Sequence, residues 1–265
     1  MNRTLWKLDH IGERLWILAN IAANQAAGLA YDGKGMAIVA EETRTMAIKV
    51  KDVVEKALFD NEEPDKEKIM SFAFQLNLLA HNNAIEAVRL GHQGKQPSVS
   101  AEEIRNLYYE IQCLFDEKGA EKADKIIKPW PADVMTSAPQ DGCFLQFNIA
   151  GITFYEALCN VKELCGFLTE HDGKVMLRSM ELPLIDGYKM MGVTKAETIY
   201  VIIQTPWAEQ NKMYAIAAET FDIFQLPIGK PINAPSEMPF AKYVRECWEN
   251  EYGDPFYFMD WTKMV

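Results

Sequence analysis

IMSFAFQLNLLAHNNAIEAVRLGHQGK, Ile69 to Lys95, has the spacing of a helix and crowds its middle with Gln75, Asn77, His81, Asn82 and Asn83. Ile69, Phe72, Leu76 and Leu79 recur in steps of three and four, the mark of helices packed nearly parallel, and Gly91 and Gly94 close the run. The same spacing recurs in three more stretches. They are Leu8, Ile11, Leu15, Leu18 and Ala22; Met36, Val39, Thr43, Met46, Val50 and Val53; and Ile104, Leu107, Ile111 and Leu114. Four helices are therefore expected.

Their connections pair them into two hairpins. AYDGKG (Ala30 to Gly35) and GHQGKQP (Gly91 to Pro97) are glycine-bearing turns, and DNEEPDKEK (Asp60 to Lys68) is a charged linker whose proline suits a helix start. Helices of roughly 25 residues, about 38 Å long, predict an antiparallel four-helix bundle with both glycine turns at one end.

The period changes downstream. KPWPADVMTSAPQDG (Lys128 to Gly142) holds three prolines and reads as a linker. Beyond it, CFLQFNIAGITFYEAL, KVMLRSMELPLID, TIYVIIQT, MYAIAA and PFYFMDW are short runs of aromatic and β-branched residues bounded by Gly, Pro and Asp. These predict short strands in a sandwich or small barrels. The expected fold class is α+β in two domains: a helical bundle over 1–127, a linker over 128–142 and a β domain over 143–265.

Composition narrows the function. The chain has 265 residues, 49% of them hydrophobic, and a formal net charge of -11. That balance disfavours binding to a phosphate backbone, so no nucleic-acid partner is expected. At the start of the chain, Asp9, Glu13, Asn20 and Asn24 interrupt the apolar residues, which suits neither a signal peptide nor a membrane span. Five cysteines without a C-x-x-C are expected to be small packed residues of a reducing cytoplasm.

Catalytic patterns are missing. The four histidines show no H-x-x-x-H or E-x-x-H spacing, and there is neither a G-x-S-x-G elbow nor a phosphate-binding glycine loop. Acidic pairs such as Glu41 with Glu42, or Glu102 with Glu103, read as solvated helix faces. No enzyme activity, metal or cofactor is expected.

The stretch from Ile69 to Lys95 resembles the outgoing helix at the cytoplasmic tip of methyl-accepting chemotaxis receptors. Gln75, Asn77, Leu78, Leu79, Ala80, Asn82, Ala84, Ile85, Glu86, Ala87, Arg89, Gly91, Gln93 and Gly94 hold that pattern in an ungapped frame. The family's returning helix is similar to GKGMAIVAEETRTMA (Gly33 to Ala47) and, in eroded form, to GKQPSVSAEEIRNLY (Gly94 to Tyr108), where Gln96 and Pro97 break the glycine-aromatic turn. ANIAANQAAGLAYD is a worn outgoing helix ahead of the first copy. Receptor tips are homodimers of hairpins, so two tandem hairpins are expected to form a comparable bundle as a fused pseudo-dimer. The resemblance implies partner contacts for Glu86 and Arg89, with Asn82 nearby. Amides at seam positions, Gln75 and Asn82 among them, are alternatively register pins that hydrogen-bond across helices.

From Phe144 to Val265 the chain resembles CheW-type chemotaxis adaptor domains, which fold as two five-stranded barrels. Val161, Glu163, Leu164, Gly166 and Phe167 occupy the family's V-x-E-I-x-G-aromatic segment, and LRSMELPLID keeps Arg178, Pro183 and Asp186, with Ser179 in place of a glycine. The resemblance implies that Val161 and Glu163 lie on a receptor-facing side and that Arg178 helps form a partner surface. Taken singly, Val161 also reads as a core valine and Arg178 as a loop pin.

The implied function is a cytoplasmic, non-enzymatic chemotaxis adaptor that scaffolds a CheA-type histidine kinase with chemoreceptor tips or CheW, recruited to membrane-associated arrays without membrane insertion. Signal sensing is not expected, because neither a preceding ligand-binding domain nor a methylation region is seen. A decoy, or an autoinhibited regulator whose modules mask each other, is the alternative.

Overall fold

The computed structural model describes residues 3–29, 33–115, 143–195, 198–204, 212–225, 230–238, 240–249 and 253–264. It divides into two compact units, Met1–Pro139 and Gln140–Val265. The expected linker, 128–142, lies outside the described residues.

The first unit holds the four expected helices: α1 (Arg3–Gly28), α2 (Lys34–Asp60), α3 (Lys66–Leu90) and α4 (Lys95–Phe115), with a 3-10 turn, Gly91–Gly94, between the last two. Neighbours pack in a ring, α1 on α2, α2 on α3, α3 on α4 and α4 on α1. The spacing read in the sequence forms the seam. Leu8, Ile11, Leu15, Ala19, Ala22 and Ala26 are buried on α1, and the residues 61 positions later, Ile69, Phe72, Leu76, Ala80, Asn83 and Ala87, are buried on α3. Returning helices repeat the relation: Val39, Ala40, Thr43, Met46 and Val50 on α2 answer to Ser100, Ala101, Ile104, Leu107 and Ile111 on α4, all buried.

The two turns share a requirement at one glycine each. A side chain at Gly33 would run into the backbone of Ala26, and one at Gly94 into the backbone of Ala87, so each turn demands glycine for close approach. Pro97, which interrupts the glycine-aromatic pattern of the resemblance, is compatible with the second turn. It sits in the first turn of α4, where its missing N–H has no helical acceptor to lose. The charged connection ends at Asp65, which caps α3 by accepting from the Lys68 N–H at 3.2 Å, with Pro64 just outside the cap.

Among the described residues the second unit contains twelve strands: β1 (Cys143–Ile149), β2 (Ile152–Ala157), β3 (Val161–Cys165), β4 (Thr169–His171), β5 (Lys174–Leu177), β6 (Met180–Ile185), β7 (Ile199–Gln204), β8 (Met213–Ala218), β9 (Thr220–Gln225), β10 (Lys230–Ile232), β11 (Val244–Glu249) and β12 (Pro255–Met259). A five-residue helix, α5 (Gly187–Met191), follows β6. One sheet has the order β10-β11-β12-β2-β1-β9, the other β3-β7-β8-β6-β5-β4. Each has five strands of four or more residues plus a three-residue edge strand, β10 or β4.

Each sheet is mostly antiparallel with one parallel pair, β12 beside β2 in one and β6 beside β8 in the other. Ala150 and Gly151, both at positive φ, join β1 to β2 in the two-residue turn whose twist suits a hairpin. Strand alternation sends Leu145, Phe147 and Ile149 of β1 into the core. Phe147 and Phe154 stack there at 6.0 Å, and the Trp261 ring lies 5.8 Å from both.

Trp261 belongs to a closing 3-10 turn, Trp261–Lys263, anchored by its indole N–H donating to Glu156 at 2.9 Å. The Glu156 carboxylate also accepts from the Asn160 amide at 2.7 Å and the Ala157 N–H at 3.1 Å. Burial nevertheless pushes its pKa up.

Candidate partner-binding surfaces

On α3, Asn82, Glu86 and Arg89 fall at i, i+4 and i+7, hence on one side of the helix beside the Gly91 turn. All three are half-buried. Arg89 donates to the Glu86 carboxylate. That carboxylate lies against Gly35 of α2, where any side chain would displace it. Glu86 thus joins the two hairpins as well as its own helical turn.

The related end of α1 is different. Counting back 61 residues, Ile21, Gln25 and Gly28 stand for Asn82, Glu86 and Arg89, and Gln96 stands for Gly35 on the returning helix. Only one of the two hairpin ends carries the charged pair. A further difference concerns burial: on α3, Leu78, His81 and Ile85 are buried, whereas their counterparts Ile17, Asn20 and Asn24 on α1 are exposed.

The amide-rich centre of α3 does not behave uniformly. His81 contacts the Asn77 carbonyl one turn back, Nδ1 to O 2.8 Å. Gln75, Asn77 and Asn82 are half-buried. Asn83 is fully buried in the seam with no hydrogen-bond partner for either side-chain amide atom. The hydrogen bonding across helices expected of Gln75 and Asn82 is not made by the Asn83 amide.

In the β unit the structure brings Glu163 and Arg178 together. Arg178 opens the two-residue turn between β5 and β6, Leu177 facing Met180 across it, and its Nη2 donates to Glu163 Oε1 at 3.0 Å. Its φ of 54° is left-handed, a conformation that costs an ordinary residue energy and that the turn enforces. The guanidinium is exposed, while Glu163 is partly covered. Since an exposed ion pair contributes little to stability, this pair leaves the Arg178 fork available to a partner carboxylate at small cost.

Val161 differs from the expectation of a surface contact. Its side chain is fully buried, because a β-bulge between Val161 and Glu163 shifts the register of β3 against β7 and turns Val161 into the core. Phe167, two residues past the end of β3, is 84% exposed. The segment pattern contained it, yet alternation alone gave no reason to place an aromatic ring outside.

Two concavities complete the β unit. One of about 610 Å³ is lined by Glu156, Asn160, Arg245, Glu246, Asp260 and Trp261. Another of about 400 Å³ lies beside Tyr155, whose hydroxyl donates to Gln146 at 2.7 Å and whose pKa burial pushes up to about 12. Among the described residues no three His, Cys, Asp or Glu side chains come together as metal ligands, and no helix is long and apolar enough to cross a membrane.

Residues 67–127 match the model of the methyl-accepting chemotaxis protein (MCP) signalling domain. No curated protein matches the chain. Among solved structures, the scaffolding protein TtCheW from Thermoanaerobacter tengcongensis is similar over the C-terminal part, with 13% identity, 46% of this chain and 85% of that one covered, and a TM-score of 0.37. The family match thus falls on α3, α4 and the residues that follow them, in the first of the two units.

Proposed function

We propose that the chain is a non-catalytic chemotaxis adaptor that links a CheA-type histidine kinase to chemoreceptor tips or CheW, in the cytoplasm at membrane-associated arrays. The carrying observation is the match of residues 67–127 to the MCP signalling domain in the same chain as the β unit. Joining two modules, 1–127 and 143–265, holds the partners of one at high local concentration near the partners of the other. The bundle contributes Asn82, Glu86 and Arg89, and the β unit contributes Glu163 and Arg178 with the exposed Phe167 ring. Val161 supports this surface from beneath rather than touching a partner.

Calorimetric titration of the purified chain with the regulatory domain of a CheA kinase tests this reading. Saturable binding is expected, weakened at least ~10-fold by Arg178→Glu, which turns attraction for a carboxylate into repulsion. A loss caused instead by Glu86→Lys moves the contact to the bundle. Absence of any heat overturns the kinase link.

A second reading, an autoinhibited regulator or decoy, is favoured by the partial burial of Asn82, Glu86 and Arg89. It predicts that the intact chain lowers kinase activity when titrated into an active receptor-kinase assembly.

A further inference from the structure

The outward face of α1 carries an apolar stripe that its sister helix lacks. Trp6 and Ile17 are each 56% exposed and Ile21 is 42% exposed. Trp6, His10, Glu13 and Ile17 follow one another at steps of four, three and four, which lines them up on the side opposite the buried Leu8, Ile11 and Leu15. At the related positions α3 has Glu67, Ser71, Phe74 and Leu78, of which Glu67 and Ser71 are exposed and polar and Leu78 is buried. The bundle itself therefore does not require apolar residues there, and an exposed apolar stripe without an internal role marks an interaction surface.

Its chemistry is complementary to its own reverse: apolar Trp6 and Ile17 at the ends, and the imidazole of His10 and the carboxylate of Glu13, a donor and an acceptor, between them. Laid antiparallel across its own copy, the stripe puts Trp6 on Ile17 and His10 on Glu13, and the two-fold axis repeats both pairs. Such self-complementarity is the condition for an isologous contact. We infer that this face docks on a second copy of the chain, α1 against α1 in antiparallel register, with the Trp6–Ile17 and His10–Glu13 pairs each formed twice.

Local geometry suits the pairing. The Trp6 ring stacks on His10 at 5.8 Å and 10°, giving a flat platform for an isoleucine. His10 Nδ1 and Glu13 Oε2 are 3.9 Å apart in one chain, so each lies beside the group that the second copy would bring. Arg14 is tied to Glu103 at 3.2 Å and to Glu110 at 2.6 Å on α4, which fixes α1 in the bundle with the stripe facing outward.

The area sets the strength. Trp6, Ile17 and Ile21 offer roughly 300 Å² per copy, about 600 Å² for the pair, less than the ~1,200 Å² at the lower end of stable interfaces. A reversible, concentration-dependent dimer is the consequence, distinct from the pseudo-dimer inside each bundle.

Sedimentation equilibrium of the full chain from about 1 to 100 μM reads this directly. The wild type is expected to pass from monomer to dimer across the range. Ile17→Asp should weaken association at least ~10-fold, whereas Ile48→Asp, at an exposed site on α2, should leave it unchanged. Glu13→Lys should also weaken it by removing the carboxylate acceptor, and adding His10→Glu should restore it by placing a carboxylate opposite the new ammonium group. Helical circular dichroism identifies any variant that fails to fold, and the charge exchange keeps the test decisive in that case. A wild type that stays monomeric throughout overturns the inference, as does a dimer indifferent to both Ile17→Asp and Glu13→Lys. A monomer that gains mass only with a receptor-tip fragment would give the face to another protein and also overturn it. Kinase binding is measured separately, so the adaptor reading stands or falls on its own.

Discussion

In the hairpin of α1 and α2, Leu15, Ala19 and Ala26 fill the positions that Leu76, Ala80 and Ala87 fill in the hairpin of α3 and α4, and all six are buried. On the outside the match ends: Trp6, Ile21 and Gln25 stand where the second hairpin has Glu67, Asn82 and Glu86. Seam positions are constrained by close packing, where even one methylene matters, while outward positions answer only to what they meet. A homodimer of one hairpin would not permit this, since it repeats every surface residue on both sides. A tandem pair in one chain frees the two exteriors to diverge while the interior stays common.

Core truncations give the largest expected effect and the sharpest test of that common interior. Leu15→Ala and Leu76→Ala each remove a fully buried side chain from related places. Each should lower stability by about 3 kcal/mol, the two agreeing within about 1 kcal/mol, by chemical denaturation. A large inequality would break the equivalence of the hairpins. The turns come next: Gly33→Ala and Gly94→Ala both drive a methyl into backbone, of Ala26 and Ala87 respectively, and each should cost about 2 kcal/mol. Tolerance of one and not the other would show that a turn can open without disturbing its bundle.

Much of this organisation was legible beforehand, for physical reasons that also mark where legibility stops. Three-four spacing reports burial directly, so the helices and both glycine turns could be read from Leu8 to Leu114. The short aromatic and β-branched runs located β1, β2, β5 to β8 and β12, because turn residues bound them whether they alternate, as in β1 and β5, or are buried nearly throughout, as in β7 and β8. For Val161 the spacing left core and surface both open, because a bulge is a defect in periodicity and a one-residue shift moves a side chain to the other face; its burial fits the core alternative. The meeting of Glu163 with Arg178 joins residues on different strands, and only the resemblance, never the spacing, placed them in one region.

Asn83 is one of the places where the two hairpins differ inside the seam, and it offers the smallest and most diagnostic effect. Its counterpart on α1 is Ala22, equally buried and fully compatible with the apolar interior. The Asn83 amide has been taken out of water and given no hydrogen bond in return, a loss of about 1 to 3 kcal/mol for a buried polar group. Replacing it with the residue its sister helix already uses removes that loss and leaves only a small void. Asn83→Ala is therefore expected to raise stability by about 1 kcal/mol, read as a shifted denaturation midpoint at unchanged slope. Ala22→Asn should do the reverse and lower it by a similar or larger amount. A destabilised Asn83→Ala protein would instead mean that the amide meets a partner in solution, and the seam of the second hairpin would then be chemically, and not only superficially, different from the first.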